Sequence, residues 1–287
     1  VDEDFRRICM EAVRKALDED LQSSGDVTSR ALVPPDARGR GRVILREEGV
    51  VAGLPLASMA FRLLDNKVNF QPLVNDGDHL AAASEIAVVE GSVLTILEGE
   101  RTALNFLQRL SGIATLTSRY VAAAAPFGAT VLDTRKTTPG LRGLEKYAVR
   151  AGGGKNHRFG LYDAVLIKDN HIVAVGGVGK AVESAREAVG EEADVEVEVQ
   201  RLADLEEAIQ AGADVVMLDN MSVAEVAEAV RNARGRVKLE ASGGIGLDNI
   251  VAYAETGVDL ISVGAITHSA RALDIALELE PLRRAED

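Results

Sequence analysis

Apolar residues recur every three or four positions at the start of the chain, at Phe5, Ile8, Cys9, Ala12, Val13 and Ala16. That period predicts an amphipathic helix over 2–21. Short apolar runs follow at 42–45, 50–52, 68–70, 86–89 and 93–97, separated by Gly, Asn, Asp and Pro. They read as strands of a mainly antiparallel sheet, in a first region that ends near Gly99. The helical period then returns over 100–125, through Ala103, Phe106, Leu107, Leu110, Ile113, Ala114, Thr117, Tyr120 and Val121, until Pro126 stops it. Arg101 falls in the first turn of the helix so placed, where the helix dipole disfavours a cation. Two readings account for it: a side chain reaching solvent beside Glu100, or one waiting for an anionic ligand.

From residue 129 the rhythm changes. Apolar runs at 129–133, 164–167, 194–199, 214–218, 237–240 and 260–263 alternate with helical stretches such as 202–210 and 223–232. This is the βα cadence of a parallel sheet. The segments AGADVVMLDN at Ala211 and TGVDLISVGA at Thr256 both place a Gly before an Asp-led apolar strand and a loop. Such a weak internal repeat favours a barrel over an open sheet.

Composition adds limits rather than a function. A chain of 287 residues with 47% apolar content can bury the core of two domains or of one large α/β unit. Cys9 is the sole cysteine and shares the helical spacing of its neighbours, so it reads as core filler, and a chain without an internal disulfide suits a reducing cytoplasm. No apolar run approaches the roughly 18 residues needed to span a bilayer, and the opening VDEDFRR has no signal-peptide pattern, so a soluble, cytoplasmic protein is expected. A net charge of -13, no Trp and 3% aromatics argue against an extended nucleic-acid surface.

Against that acidic background seven cations crowd together: Arg135, Lys136, Arg142, Lys146, Arg150, Lys155 and Arg158, with Glu145 the only acid among them. Glu145, Lys146 and Arg150 have the spacing of exposed positions on a short helix. Arg135 and Lys136 instead follow the strand ATVLDT into a loop marked by Thr137, Thr138, Pro139 and Gly140. In a βα fold reactive groups gather where strands run into their following loops. Those ends supply Arg135 and Lys136, then Lys168, Glu198, Asp219, Ser242 with Gly243 and Gly244, and Gly264.

The chemistry of these groups points to an anionic ligand. Arg135, His157, Arg158 and Lys168 form a positive pocket; two cations about 6 Å apart repel by roughly 3 kcal/mol at an effective dielectric of 20, which a dicarboxylate would offset. The glycine turns at 242–244 and at Gly264 let backbone N–H groups approach a phosphate. Glu198 and Asp219 suit Mg²⁺ or ribose hydroxyls, and Glu196, on the same strand face as Glu198, reads as part of an exposed acidic face. His157, His171 and His268 show no close zinc-ligand spacing.

With these residues in place the chain resembles the quinolinate phosphoribosyltransferase family. The resemblance spans nearly the whole length, through GDVTS at Gly25, ERTALNFLQRLSGIAT at Glu100, DTRKTTPGLR at Asp133, KYAVRAGGGKNHR at Lys146, LIKDNH at Leu166, EVEV at Glu196, MLDN at Met217, EASGGI at Glu240 and VGAITHS at Val263. It implies an α/β fold: an N-terminal α/β sandwich over 1–112, joined by a C-terminal helix at about 270–287, and an incomplete parallel α/β barrel over 113–269 that holds the active site. It further implies a homodimer in which Arg101 acts across the interface, with assembly to a hexamer left open. The implied reaction joins quinolinate and phosphoribosyl pyrophosphate, with Mg²⁺, to give nicotinate mononucleotide, pyrophosphate and CO₂ in NAD biosynthesis.

Carried over to this sequence, Arg101, Arg135, His157, Arg158 and Lys168 would hold the carboxylates of quinolinate. Lys136, with Lys168 nearby, would meet the pyrophosphate. Glu198 and Asp219 would face the ribose and Mg²⁺, while Ser242, Gly243, Gly244, Gly264 and His268 would bind the 5′-phosphate. Lys136, Lys168, Glu198 and Asp219 are thus the expected catalytic set. Three rivals remain: a related transferase that does not decarboxylate, a Schiff-base aldolase using Lys168, and a noncatalytic phosphosugar-binding module.

Overall fold

The computed structural model describes residues 3–190 and 193–281. Its described residues fall into two compact units, the first from 3–116, 138–153 and 270–281, the second from 117–137, 154–190 and 193–269. The chain opens with α1 (Glu3–Leu21), α2 (Val27–Leu32), β1 (Arg38–Leu45), β2 (Gly49–Val50), α3 (Leu54–Leu64), β3 (Asn69–Pro72), β4 (His79–Leu80), β5 (Ser84–Ser92) and α4 (Val93–Ala124). It continues with β6 (Thr130–Leu132), α5 (Arg142–Ala151), β7 (Val165–Ile167), α6 (Asp169–Val175), α7 (Val178–Val189), β8 (Val195–Val199), α8 (Ala203–Gln210), β9 (Val215–Asp219), α9 (Val223–Ala233), β10 (Lys238–Ser242), α10 (Ile250–Ala254), β11 (Leu260–Ser262), α11 (Ala265–His268) and β12 (Ile275–Pro281). Among the described residues no helix is long and apolar enough to cross a membrane.

The first unit is built on an antiparallel sheet in the order β12-β1-β5-β3. Phe5, Cys9, Val13 and Leu17 form the buried stripe of α1, as the opening period predicts, and Cys9 is fully buried core. Burial pushes its thiol up to about 12, which leaves it unreactive. Three expectations fail in this unit. Residues 275–281 form a strand where a helix over about 270–287 was expected, 282–287 lying outside the described residues: Leu277 and Leu279 turn inward while Glu278 and Glu280 stay exposed, the alternation of a half-buried strand paired along β1. The stretch 93–97 is the first turns of α4 rather than a strand, because Val93 and Ile96 are buried at helical spacing and override the local β-propensity of VLTIL.

That change removes the electrostatic puzzle at Arg101. With α4 starting at Val93, Arg101 lies beyond its first turn, where the dipole no longer opposes a cation. The third failure is at α5, where Glu145 and Lys146 are buried rather than solvated. The Glu145 carboxylate accepts from Arg109 Nη2 at 2.7 Å, from the Thr138 N–H at 3.0 Å and from Thr138 Oγ1 at 2.7 Å. Buried carboxylates need such partners, and here they fasten the loop that carries Arg135 and Lys136 at its other end.

The second unit is an incomplete α/β barrel of six parallel strands in the order β6-β11-β10-β9-β8-β7, with β6 and β7 as its edges. Its strands are almost uniformly buried, as parallel strands covered by helices must be. The repeated Asp at each strand start has a structural use. Asp214 accepts the Val195 N–H at 2.7 Å and Asp259 the Leu239 N–H at 2.9 Å, so each pins the beginning of a neighbouring strand.

Candidate active site

Construction of the site starts at the end of β6. Asp133, fully buried, accepts the N–H of His157 at 2.9 Å and a hydrogen bond from Asn156 Nδ2. Lys155 donates its N–H to the Val131 carbonyl at 2.9 Å, and Asp133 donates back to Lys155 at 3.1 Å. A segment distant in sequence is thereby laid beside β6, which puts His157 and Arg158 next to Arg135 and Lys136.

The neighbouring loop is tied down equally well. Thr267 Oγ1 donates to the Lys136 carbonyl at 2.9 Å. A methyl group added at Gly264 would lie 3.0 Å from Lys136 Cδ and 3.3 Å from the His268 ring, so the absence of a side chain there lets both approach the strand end. Gly243 has φ +98°, and a Cβ on it would meet Asn220 Oδ1 at 2.2 Å; glycine is required on both counts.

A cavity of about 380 Å³ opens at the carboxyl ends of the parallel strands. Arg135, Lys136, His157, Arg158, Lys168, Glu198, Asp219 and Ser242 line it, all eight expected from the sequence. Thr134, Leu166, Met217 and Ser262 complete the lining and were not foreseen. Gly243, Gly244, Gly264 and His268 are not part of the lining itself but adjoin Ser242 or Lys136. Arg101 is exposed on α4 and does not line the cavity.

Charge inside the cavity is arranged in two groups. Burial, and then the neighbouring Arg135, hold the Arg158 guanidinium below its ordinary pKa, the signature of two cations forced together. Opposite in sign, Glu198 receives Lys168 Nζ at 2.7 Å, and Asp219 accepts from Asn220 Nδ2 at 2.9 Å. Lys168 is therefore engaged by a carboxylate, not presented as the free amine that a Schiff base requires.

Beneath the cavity lies a cluster that spacing along the chain could not reveal. His157 Nε2 is 3.0 Å from Glu196 Oε2 and 3.7 Å from Glu240 Oε1, and these three residues make up the one His/Cys/Asp/Glu trio of metal-binding proximity among the described residues. Glu196 is buried, correcting its reading as an exposed face: the inner face of a barrel strand points into the barrel. Ser262 Oγ donates to Glu240. Burial, followed by the Glu196 charge, raises the Glu240 carboxyl well above the usual carboxylate range.

Comparison with known proteins gives a consistent picture. The family model described as quinolinate phosphoribosyl transferase, N-terminal domain, matches residues 26–111, and that of the C-terminal domain matches residues 113–278. A probable nicotinate-nucleotide pyrophosphorylase (carboxylating) of Bacillus subtilis is 45% identical over 261 residues, covering 91% of this chain and 90% of its own. A tobacco (Nicotiana tabacum) protein named quinolinate phosphoribosyltransferase (decarboxylating) 2a, mitochondrial, is 42% identical over 92% of this chain and 80% of its own. The solved structure of the nicotinate-nucleotide pyrophosphorylase from Francisella tularensis superposes with a TM-score of 0.92 at 45% identity, covering 96% of this chain and 97% of that one.

Proposed function

The chain belongs to the quinolinate phosphoribosyltransferase family, and from that membership we propose that its barrel cavity transfers a phosphoribosyl group to quinolinate with loss of CO₂. The products are nicotinate mononucleotide, pyrophosphate and CO₂, a step of NAD biosynthesis. One observation carries the reading: a paired-guanidinium pocket and a lysine–carboxylate group share a single cavity. The first suits a dicarboxylate and the second an activated ribose.

Arg135 and Arg158 hold the two carboxylates, whose charge relieves the repulsion between the guanidiniums. Lys136 and Lys168 meet the pyrophosphate, and Ser242, Gly243, Gly244, Gly264 and His268 surround the 5′-phosphate. The pyridine nitrogen attacks C1′ of the ribose as the bond from C1′ to the pyrophosphate oxygen breaks. Glu198 and Asp219 face the positive charge that develops at the ribose. In the resulting pyridinium the bond from C2 to its carboxylate breaks, CO₂ leaves, and the electron pair left on C2, stabilised by the adjacent cationic nitrogen, takes a proton from solvent. Positioning and electrostatics supply the acceleration.

Glu198 and Asp219 also fit Mg²⁺, which takes one or two carboxylates together with substrate phosphates. When bound, the ion would supply neutralising charge to the pyrophosphate. The protein acts as a homodimer in this reading, with Arg101 reaching the partner's cavity, a role supported by its exposure on α4. Mixing inactive Arg101→Ala and Lys136→Ala subunits restores activity if the site is shared; no recovery in verified heterodimers excludes it.

The reaction is tested with purified protein, phosphoribosyl pyrophosphate, Mg²⁺ and quinolinate labelled in its 2-carboxylate. Nicotinate mononucleotide by mass spectrometry and labelled CO₂ in equal amounts are expected. Ribosyl transfer without CO₂ release would point to the non-decarboxylating class, and ligand binding without turnover to a phosphosugar-binding module.

A further inference from the structure

A barrel interior is normally filled by layers of branched apolar side chains. Here the layer under the cavity holds Glu196, Glu240 and Ser262, exposed by only 8%, 1% and 3%. Burying carboxyls costs several kcal/mol unless their partners compensate, so a cluster this polar calls for a reason beyond packing.

Its hydrogen bonds supply one. The Arg158 N–H donates to His157 Nδ1 at 2.7 Å, so that nitrogen carries no proton and the ring proton sits on Nε2. Nε2 then donates down to Glu196 at 3.0 Å. This tautomer commits the Nε2 lone pair, which a metal would need, to the ring proton. It also means that neither ring nitrogen is a donor toward the cavity. The Glu196 charge also acts on Arg158, as one of those that favour its guanidinium form. His157 thus rests on one buried carboxylate whose charge also acts on Arg158, with Glu240, held by Ser262, 3.7 Å from the same ring nitrogen.

We propose that Glu196 and Glu240 are positioning residues for the acceptor half of the site: they grip His157 from within the barrel and, through the hydrogen bond of its Nδ1 with the Arg158 N–H, set Arg158 where the pyridine dicarboxylate docks. The assignment deepens the phosphoribosyl-transfer reading and rests on it. Neither carboxyl touches substrate. Their effect falls on quinolinate, because His157 and Arg158 are on the cationic side of the cavity, and not on phosphoribosyl pyrophosphate.

Steady-state kinetics with both substrates varied test this. Wild-type turnover is judged first; its absence removes the underlying reading, and the proposal with it. Given turnover, Glu196→Gln raises KM for quinolinate by about tenfold or more, with KM for phosphoribosyl pyrophosphate within about twofold of wild type, since the charge-assisted bond from His157 becomes a neutral one and the negative charge acting on Arg158 is removed, both on the acceptor side only. Glu240→Leu shows the same split, and Glu240→Gln, which keeps a neutral donor and acceptor in place, a smaller one. Equal rises in both KM values, or none, overturn the proposal. Should the variants fail to fold, ¹⁵N-histidine NMR of the wild type still decides it: His157 is expected as the Nε2–H tautomer, and an Nδ1–H tautomer refutes the clamp.

Discussion

In the antiparallel sheet, Arg40, Arg42 and Arg46 meet Glu85, Glu90, Glu278 and Glu280 across strands, at 3.0 to 3.9 Å, with every side chain at least 32% exposed. The parallel sheet turns its carboxylates the other way, into the barrel, where Glu196 and Glu240 are buried and Glu198 and Asp219 rim a cavity. Solvent screens the first set, so each pair contributes about 0–1 kcal/mol and mainly reports register. Water is kept from Glu196 and Glu240 and thinned around Glu198 and Asp219, which makes these charges strong, costly and available for chemistry. The same residue types therefore mean different things in the two sheets, and exposure decides which.

The largest expected effects follow from that difference. Arg135→Ala should weaken quinolinate binding by about tenfold to a hundredfold while leaving phosphoribosyl pyrophosphate binding nearly unchanged, because charge-assisted hydrogen bonds of about 1.5–3 kcal/mol each are lost on one ligand only. Lys136→Ala should do the reverse, acting on the pyrophosphate side. Calorimetry with each ligand alone measures the split. Equal losses for both ligands would show that the cavity does not separate its charges by substrate.

A smaller effect is expected in the titration of Glu240. Folded, its carboxyl titrates near 8 against an ordinary value of 4.5. Between those values the unfolded chain has released a proton that the folded chain keeps, so stability is fully present below the unfolded value and is lost as pH rises through the folded one. Glu240→Gln removes this single titration. The melting temperature of the variant minus that of the wild type should therefore rise steadily between about pH 5 and 8, by several degrees, given roughly 2–4 °C per kcal/mol in domains of this size. A difference that stays flat with pH would mean that the pair ionises like exposed carboxylates, and the contrast between the sheets would collapse.

Legibility in the sequence followed the same divide. Parallel strands are buried on both faces, so their apolar runs announce β6 to β11 directly, and the rule that function gathers at strand ends brought together six of the eight charged or polar residues that were expected and line the cavity, His157 and Arg158 coming instead from the cationic cluster and the family resemblance. Where a short apolar run can be strand or helix, local pattern is ambiguous; VLTIL at Val93 became helix because its tertiary neighbours decided. The segment IALELE at Ile275 carries the period of two openly, and its assignment as a helix came from family resemblance rather than from its own alternation. Glu196 and Glu240 were harder. Each lies two residues before a strand-end group, on the same face, but that this face is the inner, covered one depends on how the whole sheet curves. His157 meets them through a segment laid beside β6 by Asp133, a contact that no spacing encodes.

The smallest effect is expected where the ion pairs look best. Arg42 lies 3.0 Å from Glu278 and 3.0 Å from Glu280, bridging β1 to β12 with a side chain 34% exposed. Geometry alone would suggest a strong clasp on the end of the chain. Solvent competes for every partner, however, and ordering three long side chains costs entropy, so Arg42→Ala should destabilise by no more than about 1 kcal/mol, less in high salt. What holds β12 is its ladder with β1 and the inward Ile275 and Leu277, which the substitution leaves intact. Urea denaturation at low and high ionic strength reads the difference. A loss of several kcal/mol that persists in salt would show that this exposed face behaves like the barrel interior, and that exposure is not what separates the two sheets.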